Sequence, residues 1–86
     1  MERDAASFIS FLAGQRALSE ATRESYARDL KQYISYLQSK QISDYGQVTR
    51  AGILLYFSHL KDLGKAPATI QRVSVTLRAF FRYLLQ

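Results

Sequence analysis

Residues 18–37 read LSEATRESYARDLKQYISYL, and the spacing within them decides the fold. Ser19 is a good helix N-cap, because its hydroxyl can accept from a backbone N–H that has no partner inside the first turn. Leu18 precedes it, and Glu20 places a negative charge at the positive end of the helix. Tyr26, Leu30, Tyr33, Ile34 and Leu37 then recur at steps of four, three, one and three, the stripe of an amphipathic helix. The opposite surface carries Arg23, Glu24, Arg28, Lys31 and Gln32. A helix from Ser19 to about Ser39 is predicted, buried along one side only.

The same spacing extends in both directions. Upstream, Asp4 to Leu12 places Phe8, Phe11 and Leu12 on one helical face and ends near Gly14, a suitable C-terminal cap. Downstream, Gln41 to Gly46 has a loop composition. Thr49 then caps a third helix with Ile53, Tyr56, Phe57, Leu60 and Leu63 on its buried side, although Gly52 weakens the first turn. Gly64 stands where a left-handed residue closes a helix, and Pro67 fits the first turn of a fourth. There Ile70, Val73, Leu77, Phe80, Phe81 and Leu84 form the apolar stripe. The expected fold class is all-α: a compact orthogonal bundle of four helices (four to five), occupying residues 1–86 as one domain.

Composition narrows the function. The 86 residues contain no Cys, which excludes a disulfide-stapled fold and thiolate zinc sites. The longest apolar run, Ile53 to Phe57, is far short of the ~18 residues of a membrane span. Met1-Glu2-Arg3-Asp4 has neither the basic start nor the apolar stretch of a signal peptide. A soluble, intracellular domain with no membrane partner is expected.

The net charge of +5 is unevenly placed. Residues 1–64 carry eight basic and seven acidic side chains, whereas Lys65, Arg72, Arg78 and Arg82 in residues 65–86 have no acidic neighbour. Such a segment suits a polyanion, because Lys and Arg displace counterions from phosphates. Charge alone does not separate DNA from RNA or an anionic membrane. Helical spacing adds detail. Lys65, Thr69, Arg72 and Thr76 recur at four, three and four, giving one polar row without a carboxylate. Thr22, Ser25, Arg28 and Gln32 form a second row, flanked by Arg23 and Lys31. Thr hydroxyls can meet phosphates or base edges, and Arg can fork onto guanine. The second row has a competing explanation, since Glu20, Glu24 and Asp29 lie near enough to pair with its cations.

No catalytic constellation is apparent. His59 is the only histidine, and its neighbours Ser58 and Asp62 do not make a triad with it by helical spacing. The glycines are isolated rather than clustered into a phosphate loop, and no residues suggest a metal or cofactor. Tyr26, Tyr33, Tyr56 and Tyr83 sit on or beside apolar stripes, where packing with the hydroxyl at the edge is expected. Tyr36 and Tyr45 are expected near the surface.

The stretch from Leu18 to Tyr33 resembles the L-S-x-x-T-x-x-x-Y-x-x-D-L-x-x-F/Y opening of tyrosine recombinases, the phage-integrase and Xer-type site-specific enzymes. Val48-Thr49, then Leu63-Gly64 with Pro67-Ala68-Thr69-Ile70, and finally Leu77-Arg78-Ala79-Phe80-Phe81-Arg82-Tyr83-Leu84 resemble later family motifs in the same order. Ala66 stands where the family has Ser before the proline, so that N-cap lacks a side-chain acceptor.

The resemblance implies the N-terminal core-binding, SAM-like domain, half of a clamp whose second and fourth helices face the major groove. It implies DNA-facing roles for Thr22, Ser25, Arg28, Thr69, Arg72 and Thr76, and Arg23, Lys31 and Lys65 join them on charge and position. The family's chemistry, an Arg, Lys, His, Arg, His/Trp set with a nucleophilic Tyr, belongs to a C-terminal catalytic domain with no counterpart in these residues. The chain is therefore expected to be non-catalytic by itself. The implied partners are double-stranded DNA, that catalytic domain, and other recombinase protomers assembled on DNA in a prokaryotic cytoplasm, at the nucleoid when bound. A helical protein-interaction module without nucleic-acid binding is the alternative.

Overall fold

The computed structural model describes residues 2–15 and 18–85. Four α-helices follow in order: α1 (Glu2–Ala13), α2 (Glu20–Ser39), α3 (Arg50–Asp62) and α4 (Pro67–Leu84). One 3₁₀ turn, Tyr45–Gln47, interrupts the connection between α2 and α3. The described residues contain no strand. The all-α bundle expected from periodicity is thus observed, with extents of 34 × 28 × 18 Å.

Helix boundaries follow local chemistry. The Ser19 hydroxyl accepts from the Thr22 N–H at 3.1 Å, and Thr49 accepts from the Gly52 N–H at 3.0 Å. At α4 the N-cap is Ala66, which makes no side-chain bond, with Pro67 in the first turn. The ends of α2 and α3 close alike. Gly64, at φ +83°, donates to the Lys61 carbonyl, and Lys65 N–H reaches back to Leu60 O. Gln41, at φ +61°, donates to Gln38 O while Ile42 N–H reaches Leu37 O. Both are Schellman closures, and the second places a non-glycine residue in the left-handed region.

The core draws on all four helices. Phe8 and Leu12 of α1 meet Leu30, Tyr33 and Leu37 of α2, and Tyr56 and Leu60 of α3 close the side. Val73, Leu77 and Phe80 of α4 complete it, with Phe80 fully buried. Aromatic rings carry much of the packing: Phe8 lies 5.4 Å from both Phe80 and Tyr83, and Tyr33 lies 4.9 Å from Tyr56. Ring pairs at these separations add roughly 0.5–1.5 kcal/mol each beyond their buried area.

Four expectations need correction. Tyr45 is half-buried rather than superficial: Asp44 and Gln47 form a capping box around the 3₁₀ turn, and the Tyr45 ring packs edge-on against Phe80 at 5.3 Å. The Tyr33 hydroxyl is not at an edge but buried, with no hydrogen-bond partner. Leu63 is exposed, because as the C-cap of α3 it lies beyond the last buried turn. Phe11 is 43% exposed, with its ring 5.2 Å from that of Tyr83.

Candidate nucleic-acid interface

The seam between α2 and α4 is built on a buried carboxylate. Asp29 lies beside the Tyr26–Leu30–Tyr33 stripe and is 1% exposed, so its charge requires compensation. Arg72 supplies it from α4. Its Nη2 donates to Asp29 Oδ1 at 2.8 Å and its Nε to Oδ2 at 3.2 Å, a two-point fork. The Thr76 hydroxyl, one turn further along, lies 3.0 Å from the same Oδ2 and 3.2 Å from the Arg72 carbonyl. The Asp29 hydrogen bond pushes the Arg72 guanidinium further toward the protonated state.

Arg72 nevertheless remains accessible. Its side chain is 45% exposed, and two of the five guanidinium N–H groups point at Asp29. The other three share the same rigid plane and have no partner among the described residues. Asp29 therefore restrains the cation without hiding it.

This geometry revises one expected contact. Thr76 has no accessible surface and cannot form part of an exposed row. It sits between Val73 and Leu77 in register, so the buried stripe of α4 is wide enough to include it. Lys65 is also out of register with the row, since α4 begins at Pro67. The row holds no carboxylate of its own, and Asp29 of α2 faces its Arg72 and Thr76 across the seam.

The other candidates are placed as follows. Thr22, Ser25 and Thr69 are half-buried near the starts of α2 and α4. Thr22 Oγ1 also accepts from the Ser19 hydroxyl at 2.9 Å. Arg23 turns back, its Nη1 donating to the Leu18 carbonyl at 2.9 Å. Arg28, Lys31 and Lys65 are exposed and border one concavity between α2 and α3. Among the described residues the single ion pair is Arg72–Asp29, and Arg28, Lys31 and Lys65 have no carboxylate partner there. Glu20, Glu24 and Asp29 do not neutralise them.

Two contributors escaped sequence reasoning. Asp29 looked like one of several neighbouring acids, and only its place beside the apolar stripe hinted at burial. Lys40, at the end of α2, joins Arg28, Lys31 and Lys65 around the concavity, together with His59 of α3. No spacing rule connects Lys40 with Lys65 across a helix and a turn.

Residues 5–86 match the phage integrase N-terminal SAM-like domain. The chain belongs to this family. Within it, the chain is 40% identical over 80 residues to the tyrosine recombinase XerD of Halalkalibacterium halodurans, covering 92% of this chain and 27% of that protein. It is 34% identical to XerD of Listeria monocytogenes, covering 91% of this chain and 27% of that one. With the tyrosine recombinase XerC of Listeria innocua the identity is 32%, over 92% and 26% respectively. The SAM-like chain thus spans about a quarter of the length of the curated relatives it matches. No solved structure matches it significantly. Among the described residues, no helix of this SAM-like chain is long and apolar enough to cross a membrane.

Proposed function

We propose that this chain is the DNA-binding domain of a site-specific tyrosine recombinase, gripping the major groove of its recombination site with α2 and α4. The observation that carries the reading is the Asp29–Arg72 seam. It fixes α2 beside α4 while leaving three Arg72 N–H groups available to phosphate or guanine. Family membership supports the same assignment. Thr22, Ser25, Arg28 and Lys31 contact DNA from α2, and Thr69 and Arg72 from α4, with Lys65 ahead of that helix. Arg23 steadies the helix start through Leu18 O, and Thr76 holds Arg72 through Asp29. Cleavage and rejoining of DNA belong to a catalytic domain outside these residues, in a cytoplasmic protein that works at the nucleoid.

Fluorescence anisotropy with a labelled duplex tests this. Binding should weaken linearly in log–log form with salt, at a slope of about −0.9 per neutralised phosphate. Arg28→Ala and Arg72→Ala should weaken it, whereas Lys61→Ala, exposed and outside both the seam and the concavity, should not. An absence of binding near ~50 mM salt would overturn the proposal.

A second reading has its own observation. Leu54 and Leu55 on α3 are 59% and 64% exposed, an adjacent apolar pair that lines none of the basic concavity. This face suits contact with another recombinase protomer. Sedimentation of the chain with and without duplex separates the readings: oligomers that form without DNA and ignore added duplex would favour an interaction module.

A further inference from the structure

We infer that the concavity between α2 and α3 extends the DNA-binding face beyond the α2–α4 contacts, as a track for the phosphodiester backbone that runs from Arg28 and Lys31 to Lys40. The inference rests on the DNA-binding reading above, and it adds Lys40 and His59 to the interface.

The lining of this hollow is chemically one-sided. Arg28, Lys31, Lys40 and Lys65 border it, and no Asp or Glu does. None of the four cations has a carboxylate partner among the described residues. An acid-free cluster of this kind is electrostatically unfavourable in isolation and is relieved by a polyanion. The hollow follows α2 from Arg28 to Ser39, a length of roughly 16 Å at the helical rise, enough for consecutive phosphates rather than one ion. The hydroxyl of Ser35 and the amide of Gln32 add neutral donors between the charges.

The backbone fixes the two outer cations. Lys40 is the C-cap of α2 and Lys65 follows Gly64 at the end of α3, each inside a Schellman closure. The Lys40 ammonium lies 5.7 Å above the Tyr36 ring, within cation–π range, and the His59 ring packs 5.0 Å from the same tyrosine. Helix C-termini carry about half a negative charge, which would repel phosphate. Here a lysine follows each helix end and the last carbonyls are bonded within the closure, which offsets that charge. Tyr36, Lys40 and His59 also border an adjoining hollow, and that one includes Asp62.

Salt dependence distinguishes a track from solvated lysines. Anisotropy with a random-sequence duplex should be measured between about 50 and 200 mM salt for the unchanged chain, Lys40→Gln, Lys65→Gln, the double variant, Lys40→Arg and Lys61→Gln. Each groove substitution should reduce the magnitude of the log–log slope by about 0.9, and the double variant by about twice that. Lys40→Arg should preserve the slope. Lys61→Gln, with the same net charge as either single variant, should also preserve it. If Lys40→Gln behaves like Lys61→Gln while Arg72→Ala still weakens binding, the track is wrong and the α2–α4 reading stands. If the unchanged chain binds no duplex, that reading fails and the track fails with it.

Discussion

Arg72 Nη2 lies 2.8 Å from Asp29 Oδ1, joining positions 43 residues apart into one α2–α4 unit. The two partners are unequal: Asp29 is buried and Arg72 is nearly half in solvent. Arg72→Ala leaves a carboxylate in the core, whereas Asp29→Asn leaves a cation that can swing into water. Breaking a fully buried pair costs about 3–5 kcal/mol, and exposure of Arg72 lowers that here to about 2 kcal/mol. Asp29→Asn should cost about half as much. Urea unfolding of both variants and the double variant checks the asymmetry. Equal losses would indicate that Asp29 is solvated in solution.

Thr76→Val keeps the shape but removes a buried hydroxyl that meets Asp29 Oδ2. A loss of about 1–2 kcal/mol is expected. Since Thr76 cannot reach a ligand, weaker DNA binding should accompany this only through Arg72. Thr76→Ser should restore both properties. Chemical denaturation paired with anisotropy measures the two together.

Tyr33 presents the opposite case, a buried hydroxyl without a partner. Tyr33→Phe removes an unsatisfied group while preserving the ring contacts with Tyr56 and Phe81. Stability should be unchanged or rise by up to about 1 kcal/mol. A clear fall in melting temperature would reveal a partner for this hydroxyl in solution.

Burial, reinforced by neighbouring tyrosines, pushes the Tyr33 hydroxyl up to about 12. Burial and the nearby Asp29 charge push Tyr56 up to about 12 as well. Both phenols are thus harder to ionise in the folded chain than in the unfolded one, where they titrate near ~10. Their contribution is complete below about pH 10 and is lost as pH rises toward 12, at about 2–3 kcal/mol for either phenol. Unfolding midpoints should be flat with respect to these groups below that window and then fall. Tyrosinate absorbance should appear together with the loss of helical circular dichroism, and ionisation well before unfolding would count against burial of these hydroxyls.

The two left-handed helix ends predict opposite responses. Gly64→Ala has no neighbour to clash with, so its cost of about 1 kcal/mol is conformational alone. Gln41→Gly should stabilise by up to about 1 kcal/mol, because Gln41 holds φ +61° with a Cβ. Thermal melts of the two variants should shift in opposite directions.

These positions also show which features the sequence makes legible. Gly64, Pro67, Ser19 and Thr49 act through their own backbone or hydroxyl, so residue type alone revealed their roles. Gln41 has no such signature: its conformation is imposed by the closure of α2 and by the return of Ile42 to the Leu37 carbonyl. The apolar stripes gave the helices and most of the core. Stripe width is not legible in the same way: spacing groups Thr76 with the polar row, and its burial depends on a carboxylate 47 residues away that accepts its hydroxyl. Lys65 and Lys40 were legible as charges but not as neighbours, since their proximity depends on how α3 folds back along α2.

The Phe8 contacts with Phe80 and Tyr83 bring α1 against the far end of α4. Each helix can nucleate from local contacts, but this closure joins the extremes of the chain and must bear the entropy of the whole intervening loop. Closures so distant along the chain are costly to form early in folding, because their loop entropy comes before their reward. Substitutions at Phe8 should therefore accelerate unfolding more than they slow folding, making α1 a latch on the lifetime of the native state rather than a starting point for its assembly.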